Sequence, residues 1–269
     1  RKTDNVISLP AYSIPVDVGY NLLEFDIALR QPVFSQFVDA EFRWAHSRYT
    51  SSIGSFFTQE QQPLLIGSSS DLYLIANDLS LTMLVDAIVP ARTQDINPMG
   101  RRIRLRIDRE LNKFNGDGEY QVTSTGLTPV YKNVNFTRID AQWKEYMPFF
   151  FKNHTLTLKL RGGSILGPEV DEFFDFYAGG LIGIKGYPFY ALGGNEMASA
   201  GLEYRFPLVH NIDVRVAQLY LDKLYASVYA DVGNAWTASS PRLKDFKTDA
   251  GVDHAGGLPR SLSHGLDGL

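Results

Sequence analysis

The sequence predicts an all-β fold, an antiparallel up-and-down meander of about eight strands. Three observations carry the prediction. Apolar residues recur with period two over several segments, and no segment holds a 3.6-residue period for the ten or so residues a helix needs. Gly-, Pro- and polar-rich stretches separate those segments, short turns alternating with long loops. The chain is 44% hydrophobic yet 21% charged, and no apolar run approaches the ~20 residues of a membrane-spanning helix. A transmembrane strand needs only ~10 residues of alternating polarity, so this composition leaves a membrane barrel and a soluble β-sandwich both open.

Taken in order, residues 1–19 read as a linker or tail, with Pro10 and Pro15 interrupting any long element. Leu23, Phe25, Ile27 and Leu29 then share one face, with Glu24, Asp26 and Arg30 on the other. Val38, Ala40, Phe42 and Trp44 oppose Asp39, Glu41 and Arg43 in the next strand. Residues 51–71 read as an exposed loop. Leu79, Leu81, Met83, Val85, Ala87 and Val89 form a third apolar stripe. Ile103, Leu105 and Ile107 alternate with Arg102, Arg104, Arg106 and Asp108, and only a strand lines such arginines up on one side. Residues 115–128 read as another loop. Val134 to Tyr146 make a less regular strand, ending in a Pro148–Phe151 turn edge suited to a membrane interface or a packed corner. Leu156, Leu158 and Leu160 alternate with Thr155, Thr157, Lys159 and Arg161. A long loop over 164–195 follows, then strands from Ala198 to Phe206 and from Leu224 to Gly233, with 211–218 extending either one.

Residues 247–253 begin like another strand, and 254–269 read as a non-barrel tail with no alternation. The expected portions are thus 1–19, 20–253 and 254–269, with a truncation or a change of coding frame accounting for the last. The chain begins at Arg1 without a signal peptide and is read as a mature product or a fragment.

Charge and cysteine content narrow the chemistry. A net charge of -4 argues against nucleic acid as a partner. Zero cysteines exclude disulfides and thiolate metal sites. His46, His154, His210, His254 and His264 lie far apart, and none has metal-ligand spacing. Gly179-Gly180-Leu181-Ile182-Gly183 is not followed by Lys-Ser/Thr, so it is no phosphate loop, and no Gly-x-Ser-x-Gly elbow occurs. The reading is of a non-enzyme with no catalytic residues, no metal and no cofactor.

The informative stretch is Phe173 to Trp236. Ile184-Lys185-Gly186-Tyr187 is flanked by Gly179-Gly180 and Gly193-Gly194. Gly201-Leu202-Glu203-Tyr204 and Tyr229-Ala230-Asp231-Val232-Gly233 follow on two strands. Ser199, Gly201, Glu203 and Arg205 share a face, as do Tyr225, Ser227, Tyr229, Asp231 and Gly233, so both carboxylates fall on polar faces. In order and spacing these segments resemble the Val/Ile-Arg-Gly-Phe/Tyr loop and the two downstream carboxylate strands of the bacterial surface-antigen family, the BamA/TamA-like outer-membrane assembly factors. The resemblance covers residues 150–253; residues 20–149 match only as generic barrel strands.

The resemblance implies a partial antiparallel up-and-down transmembrane β-barrel with a long loop inserted in its lumen. It implies that Lys185 anchors the loop on Glu203 and Asp231, with Gly186 and Tyr187 shaping the tip. It further implies a bacterial outer-membrane location, and a role in inserting or translocating polypeptides. The implied partners are the lipid bilayer, unfolded or translocating polypeptides and accessory envelope proteins. Lys185 departs from the family's arginine, keeping the charge but losing the bidentate fork. Two other readings stand beside this one: a barrel anchoring a larger protein with a separate N-terminal functional domain, and a soluble β-rich binding module.

Overall fold

The structure is a computed structural model. It describes residues 2–9, 12–54, 56–57, 65–66, 69–89, 98–116, 118–123, 126–149, 151, 153–181, 183–209, 212–216, 219–221, 223–237, 245–254 and 260–264. The fold is all-β. Among the described residues eleven strands form one sheet: β1 (Lys2–Leu9), β2 (Tyr12–Pro32), β3 (Val38–Ile53), β4 (Ser69–Val89), β5 (Met99–Phe114), β6 (Lys132–Pro148), β7 (Thr155–Leu166), β8 (Glu196–Val209), β9 (Leu224–Trp236), β10 (Lys247–His254) and β11 (Arg260–His264). Their order in the sheet is their order in the chain, which is the expected meander. The order runs from β1 to β11, and no pairing joins those two among the described residues.

Strand formation reaches further than period two alone suggested. Residues 1–19, expected as a tail, carry β1 and the start of β2, with Val6 paired to Pro15. Proline's φ lies within the extended range, so it removes a donor without bending the strand away. Phe56–Phe57 pairs with Leu65–Ile66, and Tyr120–Thr123 with Gly126–Pro129, so both expected loops continue as hairpin extensions. Val214–Val216 likewise pairs with Leu219–Leu221. β11 lies inside the segment expected as a patternless tail, in register with Thr248 to Val252.

The chain divides into two compact units. One comprises Arg1–Leu29, Phe42–Ser80 and Asp108–Thr137. In it Tyr73 gathers Tyr20, Tyr49 and Phe114 edge-on, at ring separations of 6.1, 6.0 and 6.3 Å. Leu23 and Phe25 point outward, 71% and 57% exposed, while Asp108 and Asn112 are buried. Arg43 reaches Glu24 at 2.5 Å and Asp26 at 3.0 Å on the opposite face.

The other unit comprises Arg30–Glu41, Leu81–Ile107 and Arg138–Leu269. It has the same inverted polarity. Leu81, Leu105, Leu202 and Val228 are exposed, whereas Asp140, Glu203 and Asp249 are buried. The buried charges are held across strands. Arg161 on β7 donates through Nε and Nη2 to Asp140 Oδ2 on β6 at 3.1 and 3.0 Å, and Gln142 donates to the other oxygen at 2.9 Å. Arg30 and Asp39 pair at 2.6 Å near the β2–β3 turn, where both stay accessible.

These two pairs differ in burial, and so in consequence. Removing one partner of a buried pair strands the other charge, whereas an accessible pair is screened by water. Asp140→Ala is expected to cost about 3 kcal/mol and Asp39→Ala less than about 1 kcal/mol in equilibrium chemical denaturation. Equal losses would contradict this ranking.

Candidate functional site

The loop between β7 and β8 folds on itself before it touches the sheet. Asp171 caps a 3-10 turn at Glu172–Phe174, its Oδ1 accepting from the Phe173 N–H at 2.9 Å. Phe176–Tyr177 pairs with Gly193–Gly194, closing the neck. Within the neck the Ile184 N–H donates to Ala178 O at 2.8 Å, and Gly180 N–H donates to Tyr187 O at 2.9 Å. These bonds require close backbone crossings. A Cβ at Gly183 would stand 1.9 Å from Ala178 O, and one at Gly179 would stand 2.1 Å from Pro188 O. Gly180 adopts φ +84°, a conformation that favours glycine. The loop glycines expected from the sequence, Gly179, Gly180, Gly193 and Gly194, thus build the loop itself. Ile182 lies outside the described residues.

The foot of the loop rests on apolar residues. Phe176 and Ala178 pack on Met197 of β8 and Ala235 of β9, with Ile165 and Leu192 around them. Gly163 of β7 leaves room for the Phe176 ring, 2.7 Å from where its Cβ would be. From β6, Arg138 donates to Phe174 O and stacks over the Phe176 ring, its guanidinium carbon 4.8 Å from the ring centre.

The tip of the loop rests on β9 and β10. Lys185 Nζ stands 3.6 Å from the centre of the Tyr229 ring. The charges of Lys185 and Lys159 both bear on the Asp231 carboxylate, which lies across Gly201 of β8. Ile184 is fully buried beside Lys185. A cavity of about 270 Å³ separates loop from wall, lined by Leu181 and Ile184 from the loop and by Lys144, Lys159, Arg161 and Asp231 from the wall.

Glu203 lies elsewhere in the network. It binds Lys159 at 2.5 Å and Arg205 at 2.7 Å. The register explains the first of these pairs. Thr157 of β7 stands opposite Glu203, and Lys159 follows two residues later on the same face, within reach of the carboxylate. Arg205 is two residues along on β8 itself. Two cations of the wall thus hold Glu203.

A loop closed by glycines, a cation at its tip and carboxylates on the two following strands now stand in one geometry. Residues 107–258, more than half the chain, match the Omp85 superfamily domain. The chain belongs to the Omp85 superfamily. No individual curated protein matches it. In this Omp85 domain the polar wall under the loop comprises more than the two carboxylates read from sequence. Tyr229, Lys159 and Asp249 belong to it as well. Tyr229 carried a legible signal, a large aromatic on the polar face of its strand. Lys159 and Asp249 required the register.

Two predictions follow from the seat. A cation over a tyrosine face, partly shielded from water, is worth ~1–2 kcal/mol. A double-mutant cycle of Lys185→Ala and Tyr229→Leu should return a coupling of that size, and additivity within about 0.3 kcal/mol would show the stack to be energetically idle. At the loop's neck, burial raises the Asp175 carboxyl above its usual range, helped by Glu172 and Asp171 and opposed by Arg138. A raised acid binds its proton more tightly folded than unfolded. Its contribution is therefore complete below the unfolded pKa and fades as pH rises through the folded one. Asp175→Asn should flatten the stability–pH profile just above the ordinary aspartate range, and an unchanged profile would rule out this origin.

Proposed function

We propose that this Omp85 domain spans a bacterial outer membrane as part of a β-barrel, and that it inserts or translocates polypeptides there without bond chemistry. The observation that carries the reading is the inverted polarity of the sheet. Leu23, Ile27, Leu105, Leu202 and Val228 are exposed, while Asp108, Asp140, Glu203 and Asp249 are buried. In water such a surface would be an aggregation hazard, but facing lipid it is the required arrangement. These acids then line the lumen side, where Asp140 and Glu203 find partners across strands. Strands suit this setting because their backbone groups bond to neighbours rather than to the hydrocarbon.

The loop serves the lumen side. Its apolar foot, bonded neck and cationic tip form a plug fixed on β8 to β10, stabilising the wall that must stay ordered while a polypeptide passes. The bilayer and unfolded or translocating polypeptides are the partners, with accessory envelope proteins beside them.

The test has two arms. On the membrane arm, Leu105→Arg should cost ~2–4 kcal/mol if the residue faces mid-bilayer, whereas Arg104→Leu on the other face should not show that lipid penalty. A chain that stays monomeric without detergent overturns the membrane reading. On the activity arm, the protein in lipid vesicles should speed insertion of an unfolded outer-membrane barrel protein, and Lys185→Ala should slow it. Rates equal to those of empty vesicles overturn the insertion reading.

A further inference from the structure

Asp249 is the most heavily buried carboxylate among the described residues, 2% exposed, and neither of its oxygens has a hydrogen-bond partner. A buried acid with no partner is costly unless something nearby compensates it. What covers it is the loop tip. A Cβ placed on Gly186 would stand 2.8 Å from Asp249 Oδ1, 2.9 Å from its Cγ and 3.3 Å from its Cβ. Three atoms of one side chain therefore press on one backbone position. The residue before that position carries the loop's cation.

The register makes the contact part of a larger arrangement. Asp231 of β9 stands opposite Asp249 of β10, and Tyr229 stands opposite Gly251. A Cβ on Gly251 would lie 2.7 Å from the Tyr229 hydroxyl oxygen and 3.0 Å from the ring carbon that bears it. The bare backbone at Gly251 lets the Tyr229 ring lie across β10. That ring is the surface on which Lys185 rests. β10 thus shapes the socket twice, with a carboxylate under Gly186 and an absent side chain under the ring beneath Lys185.

We propose that Asp249 is a positioning residue that sets the depth at which the loop tip seats, with Gly251 setting the tilt of the ring beside it. The inference rests on the reading of the loop as a lumen plug and extends its seat to a third strand. Gly186 and Asp249 are complementary in shape. The loop residue can lack a Cβ or the wall residue can lack its carboxylate, but both cannot be large. Glu203 pairs with Lys159 and Arg205 instead of lying under Gly186.

Tryptic cleavage after Lys185 reads the seat, because a lysine held on the ring is shielded from the protease. The rate is measured by mass spectrometry on the chain folded in detergent micelles and divided by the rate for the same chain unfolded. Heat-modifiable migration in electrophoresis reports separately that the sheet is intact. Gly186→Ala should raise the ratio about tenfold, the effect of overpacking a close contact. Asp249→Gly in that background should return it to within about twofold of the Asp249→Gly value alone, because the space is restored. Asp249→Gly alone should raise it several-fold.

A ratio unchanged by Gly186→Ala, or a double variant as open as Gly186→Ala, overturns the proposal. If Gly186→Ala abolishes heat modifiability, Asp249→Gly alone decides, and an unchanged ratio overturns the proposal. Gly251→Ala should also open the site by displacing the ring, but Asp249→Gly should not restore it. The rescue pattern with unaltered vesicle insertion would leave the positioning role standing and remove the loop from the insertion mechanism.

Discussion

The structure depends on one constraint: a charge buried on the polar face of the sheet must find compensation among its neighbours. Period-two alternation puts all polar side chains of neighbouring strands on one continuous face. Lys159 and Arg205 are both taken by Glu203, and Arg161 by Asp140. Asp231 Oδ2 and both Asp249 oxygens are left without hydrogen bonds. The loop brings the charge of Lys185 to bear on Asp231, beside that of Lys159 from the wall. The loop is thus a component of the wall's electrostatics.

Glycines decide where that component can sit. Gly163 admits the Phe176 ring, Gly201 admits the Asp231 side chain, and Gly251 admits the Tyr229 ring. Each lies on the wall opposite a large or charged group, so the face is carved by absence. The loop repeats the device internally at Gly179 and Gly183, where two backbones cross within what a Cβ would fill. Substitution at either kind of position disturbs packing.

The strands were legible because their faces are so unlike each other. Leu23 to Leu29 and Leu79 to Val89 alternate cleanly, and parity alone put Glu203, Tyr229 and Asp231 on the polar side. Pairing was not legible, because it depends on register. Nothing in the order of residues says that Lys159 falls opposite Gly201, within reach of both Glu203 and Asp231; that follows from the pairing of β7 with β8 and of β8 with β9. Asp249 was overlooked for a related reason. Its strand is short, and the segment after it lacks alternation, so its face had no stripe to be measured against. The ends of the sheet were hidden similarly: β1 and the start of β2 contain prolines, which read as breaks although their φ suits an extended chain.

Lysine at the loop tip fits this wall in a way that its departure from arginine first obscured. An ammonium is a compact charge without a fork, so it does not require two carboxylate oxygens in one plane. A ring face and a nearby carboxylate suffice, and Tyr229 and Asp231 occupy alternate positions of β9 on the same side. The geometry holds only in the observed register. Were β10 to slip by one residue against β9, Asp249 and Gly251 would turn to the other face and Thr248, Ala250 and Val252 would replace them. The ring would then meet a side chain instead of bare backbone, and Gly186 would lose the surface it rests on. The loop tip thus reads the register of β9 and β10, and correct pairing of the two strands is a precondition for seating it.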